Sequence, residues 1–275
     1  FYQMTAGKAP IAFIGSHAGA SPASFTGVSL VAGNRIAAIS RSTSSGNTSE
    51  IGSSYQLAGA PGPASCVWNP ANAGANVWTN PAKWDNCSTG TGPGPGPVGT
   101  PGAPDSAQID LGSVTLDVPV SVDALIVNGG VLTGDQSINV TTAFTWTSGL
   151  LQASSNAHAL VTGGTSTVEI SGGQKYLDGR TLMLQGAGNR WTTGLIEMSN
   201  GAALQIGVSA TLEIEPNAAE ERIYFNNTGA VPTISNAGTI VKKGPNTAGF
   251  DRGINFTNAG TLNVENGRLR IRANG

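Results

Sequence analysis

The C-terminal two thirds of the chain contain short phrases that recur. Residues 146–151 (WTSGLL) return at 191–196 as WTTGLI, and residues 236–240 (NAGTI) return at 258–262 as NAGTL. Self-similarity at about 20–25 residues is typical of a solenoid, in which each coil buries its apolar face only against its neighbours. The repeats therefore predict an elongated stack of similar units.

From residue 105 onward, short apolar runs alternate with single turns. In triads such as Leu204-Gln205-Ile206, the two outer residues should point inward and the middle residue outward. No stretch shows the pattern of an amphipathic helix of three turns. About 170 residues at about 21 per coil correspond to about 8 coils. We therefore predict an all-β chain whose main part is a parallel β-helix.

The composition limits the partners that the chain can attract. Charged residues make up 11% of the sequence and the net charge is −2, so no basic field would draw nucleic acid or anionic lipid. No apolar run approaches the roughly 20 residues of a membrane-spanning helix. We expect neither nucleic-acid binding nor membrane insertion.

Two cysteines enclose an aromatic segment. Cys66 and Cys87 flank Trp68, Trp78 and Trp84. A disulfide between them would stabilise the fold by about 3 kcal/mol and would indicate an oxidising compartment; two free thiols are the alternative. We expect the three tryptophans to pack as a cap on the open end of the solenoid, with stacking on sugars as the alternative.

The sequence suggests three regions. Residues 1–62 form a small β segment of uncertain fold, with strands predicted at 28–31 and 35–40. Residues 63–104 hold the Trp-rich, disulfide-clipped cap, followed by a Gly/Pro-rich linker that cannot donate to a strand ladder at each proline. Residues 105–275 form the β-solenoid.

One stretch resembles a known group of proteins. Trp68, Trp78, residues 80–84 (NPAKW), a Gly/Pro stretch and residues 104–110 (PDSAQID) follow one another in the order seen at the opening of bacterial extracellular β-helix repeat proteins. Those proteins are large cell-surface or secreted adhesin-like chains. The resemblance covers residues 66–275. It implies a right-handed parallel β-helix outside the cell, and no particular activity.

Charge is unevenly distributed along the predicted stack. Residues 101–140 carry five acids and no Lys or Arg, whereas seven of the 14 basic residues lie from Arg222 onward. The acids include Asp105, Asp110 and Asp117, and the last basic residues are Arg268, Arg270 and Arg272. The sequence stops directly after a predicted strand without a polar cap. Both features are compatible with head-to-tail assembly through these residues, with a longer parent protein, or with an ordinary solvated surface.

The sequence shows little that points to catalysis. Glu213 and Glu215 alternate on one predicted strand, about 7 Å apart on the same face, and with Arg222 they would be the candidates for a β-helical polysaccharide lyase or hydrolase. A solvated face is the other interpretation. Asp105, Asp110, Asp117 and Asp123 offer oxygen ligands, but the chain has no calcium-binding loop motif. We expect no catalytic centre, metal or cofactor.

Three functions remain open at this point. The first is a non-catalytic, extracellular structural or adhesive solenoid, with assembly into a filament as one option, whose partners would be further copies of itself, a neighbouring surface protein or a glycan. The second is the polysaccharide-cleaving enzyme. The third is a component of a phage tail fibre, because β-helices also serve as fibres.

Overall fold

The computed structural model describes residues 64–87, 102, 104–218, 220–251 and 253–272, and four short strands nearer the N-terminus. By internal contacts the chain divides into two compact units, Phe1–Gly62 and Pro63–Gly275. In the first unit an antiparallel sheet has the strand order Pro10–Phe13, Tyr2–Met4, Arg35–Ala37, Tyr55–Gln56. The strand predicted at 28–31 lies outside the described residues, as does most of the predicted Gly/Pro linker.

The second unit is a β-solenoid made of three parallel sheets, which we number in the order in which a coil passes through them. Two long strands, Val120–Thr133 and Ile138–Gln152, bend through all three sheets. The other strands of the first sheet are Ala159–Thr162, Thr181–Leu184, Ala203–Ile206, Thr233–Asn236 and Asn255–Asn258. Those of the second sheet are Ser65–Trp68, Ser106–Ile109, Thr167–Ile170, Gly188–Trp191, Thr211–Ile214, Thr239–Lys242 and Thr261–Val264. Those of the third sheet are Ser113–Thr115, Lys175–Asp178, Ile196–Ser199, Glu220–Phe225, Thr247–Phe250 and Arg268–Ile271.

The strand pairing confirms the predicted solenoid and explains the repeats. Asn236 pairs with Asn258 in the next coil, so the two copies of the NAG phrase are one turn apart. Trp146 pairs with Ile170, and Ile170 with Trp191, so the two copies of the WT phrase are two turns apart. The described first-sheet ladder has seven strands, which corresponds to about seven complete turns.

Coil length varies because the turns between the sheets differ in length. In the second sheet, Ser106 pairs with Ala124, whereas Thr211 pairs with Thr239 across a much longer stretch of chain. A constant spacing therefore describes only the average coil.

The interior follows the predicted alternation. Leu204 and Ile206 are buried, while Gln205 between them is partly exposed. Trp146 and Trp191 are both buried in the core, and Ile170 lies between them in the ladder. The ring stacked on Trp146 is that of Phe144. Because successive coils repeat the same inward positions, the apolar residues form one continuous core.

The glycine of the repeated phrase is required by the backbone. Gly149 and Gly194 have φ values of +97° and +82°, in the region that favours glycine. A Cβ atom on either residue would also collide with the carbonyl oxygen of the preceding coil, that of Gly130 for Gly149 and that of Gly173 for Gly194. The phrase therefore recurs because each copy makes the same tight turn from the second sheet to the third.

Candidate binding face and groove

The Trp-rich segment belongs to the start of the stack. Ser65–Trp68 pairs in parallel with Ser106–Ile109 and antiparallel with Trp84–Asp85, which follows a short 3-10 helix at Pro81–Lys83. The sequence analysis had assigned Ser65–Trp68 to the cap rather than to the solenoid. The ladder of the second sheet thus begins before residue 105.

The predicted disulfide and tryptophan cluster meet in this segment. Cys66 and Cys87 form the disulfide, with their Cα atoms 4.8 Å apart. The ring of Trp84 contacts those of Trp68 and Trp78 edge-on, at centroid distances of 5.1 and 4.8 Å, and its Nε1 donates to the carbonyl oxygen of Trp78. All three rings are buried, so none is available as a platform for a sugar.

The third sheet carries outward polar side chains that hydrogen-bond from one coil to the next. Each of its strands presents side chains outward in two rows that run along the stack. One row contains Tyr176, Glu197 and Tyr224, which are in register in three successive coils. The other contains Gln152 and Asp178, which are also in register. The parallel ladder thus brings together residues that are distant in the sequence.

The second row is a continuous chain of side-chain hydrogen bonds. Thr133 Oγ1 donates to Gln152 Oε1 at 3.2 Å, and Gln152 Nε2 donates to Asp178 Oδ2 at 2.8 Å. Asp178 Oδ1 accepts from Ser199 Oγ at 2.8 Å and from Asn200 Nδ2. The carboxylate of Asp178 thus has three neutral donors and no basic partner among them. We call this row the amide–carboxylate ladder.

A groove of about 750 Å³ runs beside this ladder, along the turns between the third and first sheets. Its polar lining includes Thr133, Asp135, Gln152, Ser154, Asp178 and Asn200, and Ala230 adds a small apolar side chain at one end. With Thr115 and Leu116 in the preceding coil, the lining spans six successive coils, so the groove is parallel to the stack axis. Its volume lies within the range of small-molecule sites.

The guanidinium of Arg180 is buried beneath the groove. Its Nε donates to the carbonyl oxygen of Gln152 at 3.0 Å, and its Nη atoms donate to those of Gln136, at 2.9 Å, and Gly134. Burial lowers the pKa of Arg180 to about 10, and Asp135 opposes that shift. The side chain therefore remains charged at neutral pH and ties together turns of three successive coils.

Asp135 is the exposed acid of the groove. Its Oδ1 accepts the backbone amide of Ser154 at 2.8 Å. This hydrogen bond is the main reason that the pKa of Asp135 lies below its usual value, with smaller contributions from His158 and Arg180. Asp135 is therefore ionised at neutral pH.

Glu197 organises the other outward row. Its Oε2 accepts from Tyr224 Oη at 2.6 Å and from Gln174 Nε2 at 2.8 Å, and its Oε1 accepts from Asn226 Nδ2 at 2.8 Å. Burial, followed by the bond to Glu197, raises the pKa of Tyr224 to about 12. The ring of Tyr176 in the preceding coil is 40% exposed. This row offers an accessible aromatic surface beside fixed polar groups.

The acids proposed for assembly are engaged within the unit. Asp105 is buried and its Oδ1 accepts from the backbone amide of Ala64 at 2.8 Å. Asp110 accepts from Gln108 Nε2 at 2.7 Å. Asp117 accepts from the backbone amide of Thr79 at 3.2 Å and from its hydroxyl.

Of the three arginines proposed for assembly, one is paired within the unit and two are exposed. Arg270 binds Asp251 at 3.0 Å and also Glu220. Arg268 and Arg272 are exposed. Assembly through these residues stays a prediction.

The residues of the enzyme alternative pair with different partners. On the second-sheet side, Glu213 binds Lys243 at 2.6 Å and Glu215, just after its strand, binds Arg190 at 2.9 Å. Arg222 lies on the third sheet, 3.5 Å from Asp251 and with its guanidinium 5.3 Å from the centre of the Tyr224 ring. The structure therefore does not assemble the three residues around one point.

Sequence reasoning did not find the groove. Gln152, Asp178 and Arg180 carry no motif, and nothing in their spacing marks them. The available signal was the outward position of Gln152 and Asp178 at strand ends, which alternation predicts once the strands are placed. Arg180 had no such signal, because Arg is rarely buried.

Among the described residues, no group of three His, Cys, Asp or Glu side chains is arranged to hold a metal ion. The same part of the chain contains no helix with the length and apolar character needed to cross a membrane. Comparisons of the chain with protein-family models, with curated proteins and with solved structures return no match. The adhesin-like resemblance of residues 66–275 therefore stays a prediction.

Proposed function

We propose that this protein is a non-catalytic, extracellular adhesive module in which the β-solenoid supports a rigid lateral binding face. The observation that carries the proposal is the amide–carboxylate ladder of the third sheet. Its members hold one another across successive coils through Gln152 and Asp178. Side chains that are already fixed lose little conformational entropy when a ligand binds, so such a face is suited to adhesion.

The disulfide supports the extracellular placement. Cys66 and Cys87 are bonded in the first coil, and disulfides persist mainly in oxidising environments such as the cell exterior.

The arrangement of the acids supports a non-catalytic role. A glycoside hydrolase needs two carboxylates that flank one bond, whereas Glu213 and Glu215 are each held by a basic partner. In the same way, the internal contacts of Asp105, Asp110 and Asp117 leave these acids less suited to pairing with a second copy. We therefore propose a surface polymer, rather than a further copy of the chain, as the main partner.

A retention assay on immobilised polymers tests this function. The full chain is passed over surfaces that carry neutral, acidic and amino polysaccharides or protein, and the released solution is assayed for reducing ends and unsaturated sugars. We expect retention on at least one polymer without product. Turnover of any polysaccharide would contradict the non-catalytic role, and the absence of retention on every surface would contradict adhesion.

A further inference from the structure

We infer that the groove beside the amide–carboxylate ladder binds a linear, uncharged polysaccharide chain that lies along the solenoid axis. This inference rests on the proposed adhesive function and specifies its ligand class and its site. Nothing in the sequence motifs indicates the site. The argument depends on the shape of the groove, its hydrogen-bonding groups and its charge.

The shape of the groove favours an extended ligand. Residues from Thr115 to Ala230 line it in six successive coils, and coils of parallel strands are spaced by about 4.8 Å. The lined length is therefore roughly 24 Å. A compact ligand would occupy only one part of it, whereas a linear oligomer contacts every coil.

The hydrogen-bonding groups suit a polyol. Gln152 and Asn200 carry amides, Thr133 and Ser154 carry hydroxyls, and Asp135 has an exposed carboxylate. Amides and hydroxyls both donate and accept, and ionised carboxylates accept through several lone pairs. Neighbouring hydroxyls of a sugar offer both roles at short spacing, and so match such a surface.

The charge of the groove decides against an ionic polymer. Asp135 and Asp178 line it, and the cation beneath it, Arg180, is buried with its donors committed to carbonyl oxygens. A polyanion would be repelled by the two carboxylates. A polycation would find only Asp135 open to it, because Gln152, Ser199 and Asn200 already donate to Asp178.

A peptide fits the groove less well than a sugar chain. Extended peptides usually bind by adding a strand to a free sheet edge. Along the groove, the strands Ile138–Gln152, Lys175–Asp178 and Ile196–Ser199 are already paired with one another through their backbones. The groove therefore presents side chains rather than a free strand edge.

A blocking variant and a matched control test the inference. Ala230→Trp places a large ring across one end of the groove, from an exposed position. Val208→Trp adds the same ring at a residue that is 82% exposed and lies at a different turn. Binding to neutral glucan, mannan and galactan is measured by affinity electrophoresis of the full chain. We expect Ala230→Trp to weaken binding about tenfold or more, and Val208→Trp to leave it within about twofold.

A second variant probes the ladder, and salt probes the charge. We expect Gln152→Ala to weaken the same binding by about three- to tenfold, because it removes a donor and an acceptor from the groove. Binding of an uncharged chain should also be insensitive to salt between low and physiological ionic strength. Circular dichroism of each variant confirms that the fold is retained.

The possible failures can be told apart. Retention on a neutral polymer that Ala230→Trp does not reduce would overturn the groove site and leave adhesion intact. Salt-sensitive binding to polyuronate or amino polysaccharide alone, or binding to immobilised protein alone, would overturn the ligand class. Release of sugar products would instead overturn the non-catalytic function, whatever the site.

Discussion

The first and third sheets belong to the same coils, but their outward side chains differ in charge and in hydrogen bonding. The five short strands of the first sheet contain no charged residue, and outward positions such as Val161, Met183 and Gln205 are neutral. The third sheet presents Glu197 and Asp178 with their networks of partners. Because packing constrains only the inward positions, the outward positions are free to differ between sheets. The binding chemistry of a solenoid can therefore be confined to one side.

The largest expected effect comes from the cation beneath the third-sheet groove. Arg180→Met leaves the carbonyl oxygens of Gly134, Gln136 and Gln152 without their donor. Unsatisfied buried acceptors cost about 1–3 kcal/mol each, so we expect the free energy of unfolding to fall by about 3 kcal/mol or more. Chemical denaturation followed by circular dichroism measures it.

The matched control lies on the first sheet. Met183→Gln changes an outward side chain that is partly exposed, and should alter the free energy of unfolding by no more than about 0.5 kcal/mol. If Arg180→Met proved as mild as Met183→Gln, the guanidinium would not be holding the coils together.

Lys175, on the third sheet, should make the free energy of unfolding depend on pH in the alkaline range. It is buried and its Nζ donates to the carbonyl oxygens of Gly173 and Thr193, at 2.7 and 3.0 Å. Burial lowers its pKa to about 8, with Glu221 opposing the shift. Between pH 8 and about 10.5 the unfolded chain binds more protons at this residue than the folded chain, so its contribution to stability rises with pH.

We expect this contribution to raise the free energy of unfolding by up to about 3 kcal/mol over that pH range, and Lys175→Met should abolish the rise. Lys243→Met should retain it, because Lys243 is a partly exposed surface residue paired with Glu213. Unfolding midpoints in denaturant at pH 7 to 10 test both variants. An unchanged rise in Lys175→Met would mean that another group is responsible.

A smaller effect is expected at Glu197. The folded protein should keep the Tyr224 proton up to a pH of about 12, whereas an unfolded tyrosine ionises near 10. The contribution of Tyr224 to the free energy of unfolding therefore falls as pH rises from 10 to 12. Glu197→Gln should lower the pKa of Tyr224 only part of the way to its usual value, because burial is the larger cause. Tyrosinate absorbance measures the shift, and a pKa of Tyr224 unchanged in Glu197→Gln would contradict it.

The smallest expected effect is a new charge on the neutral sheet. Gln205→Glu places a carboxylate at a partly exposed outward position of the first sheet. We expect a change in unfolding free energy within about 0.5 kcal/mol and no change in polymer retention. Loss of retention in Gln205→Glu would show that the first sheet takes part in binding, and the contrast between the sheets would fail.

The fold could be predicted largely from local pattern. The alternation in Leu204-Gln205-Ile206 indicates which side is inward, since side chains of a strand point to opposite faces in turn. The repeat of Trp146 at Trp191 indicates that the chain winds into similar coils. The spacing of Cys66 and Cys87 indicates a local disulfide. In each case, the information lies in nearby residues or in a direct repetition.

The candidate site could not be predicted in the same way. Arg180 and Lys175 would be expected on the surface, because Arg and Lys are seldom fully buried. Their burial is possible only because carbonyl oxygens of several turns converge on them. The proposed trio of Glu213, Glu215 and Arg222 failed to meet for a related reason, since a corner of the coil places Arg222 on another sheet.

The sequence by itself determined that the chain alternates inward and outward residues and repeats in coils, and it indicated a disulfide between Cys66 and Cys87. Only the tertiary structure decided which outward residues meet. Gln152 is distant in the sequence from both Thr133 and Asp178, and nevertheless touches both. Coils in this stack differ in length, so no fixed period shows which side chains are neighbours. Backbone pairing between strands sets that register, and the register creates the ladder and the groove.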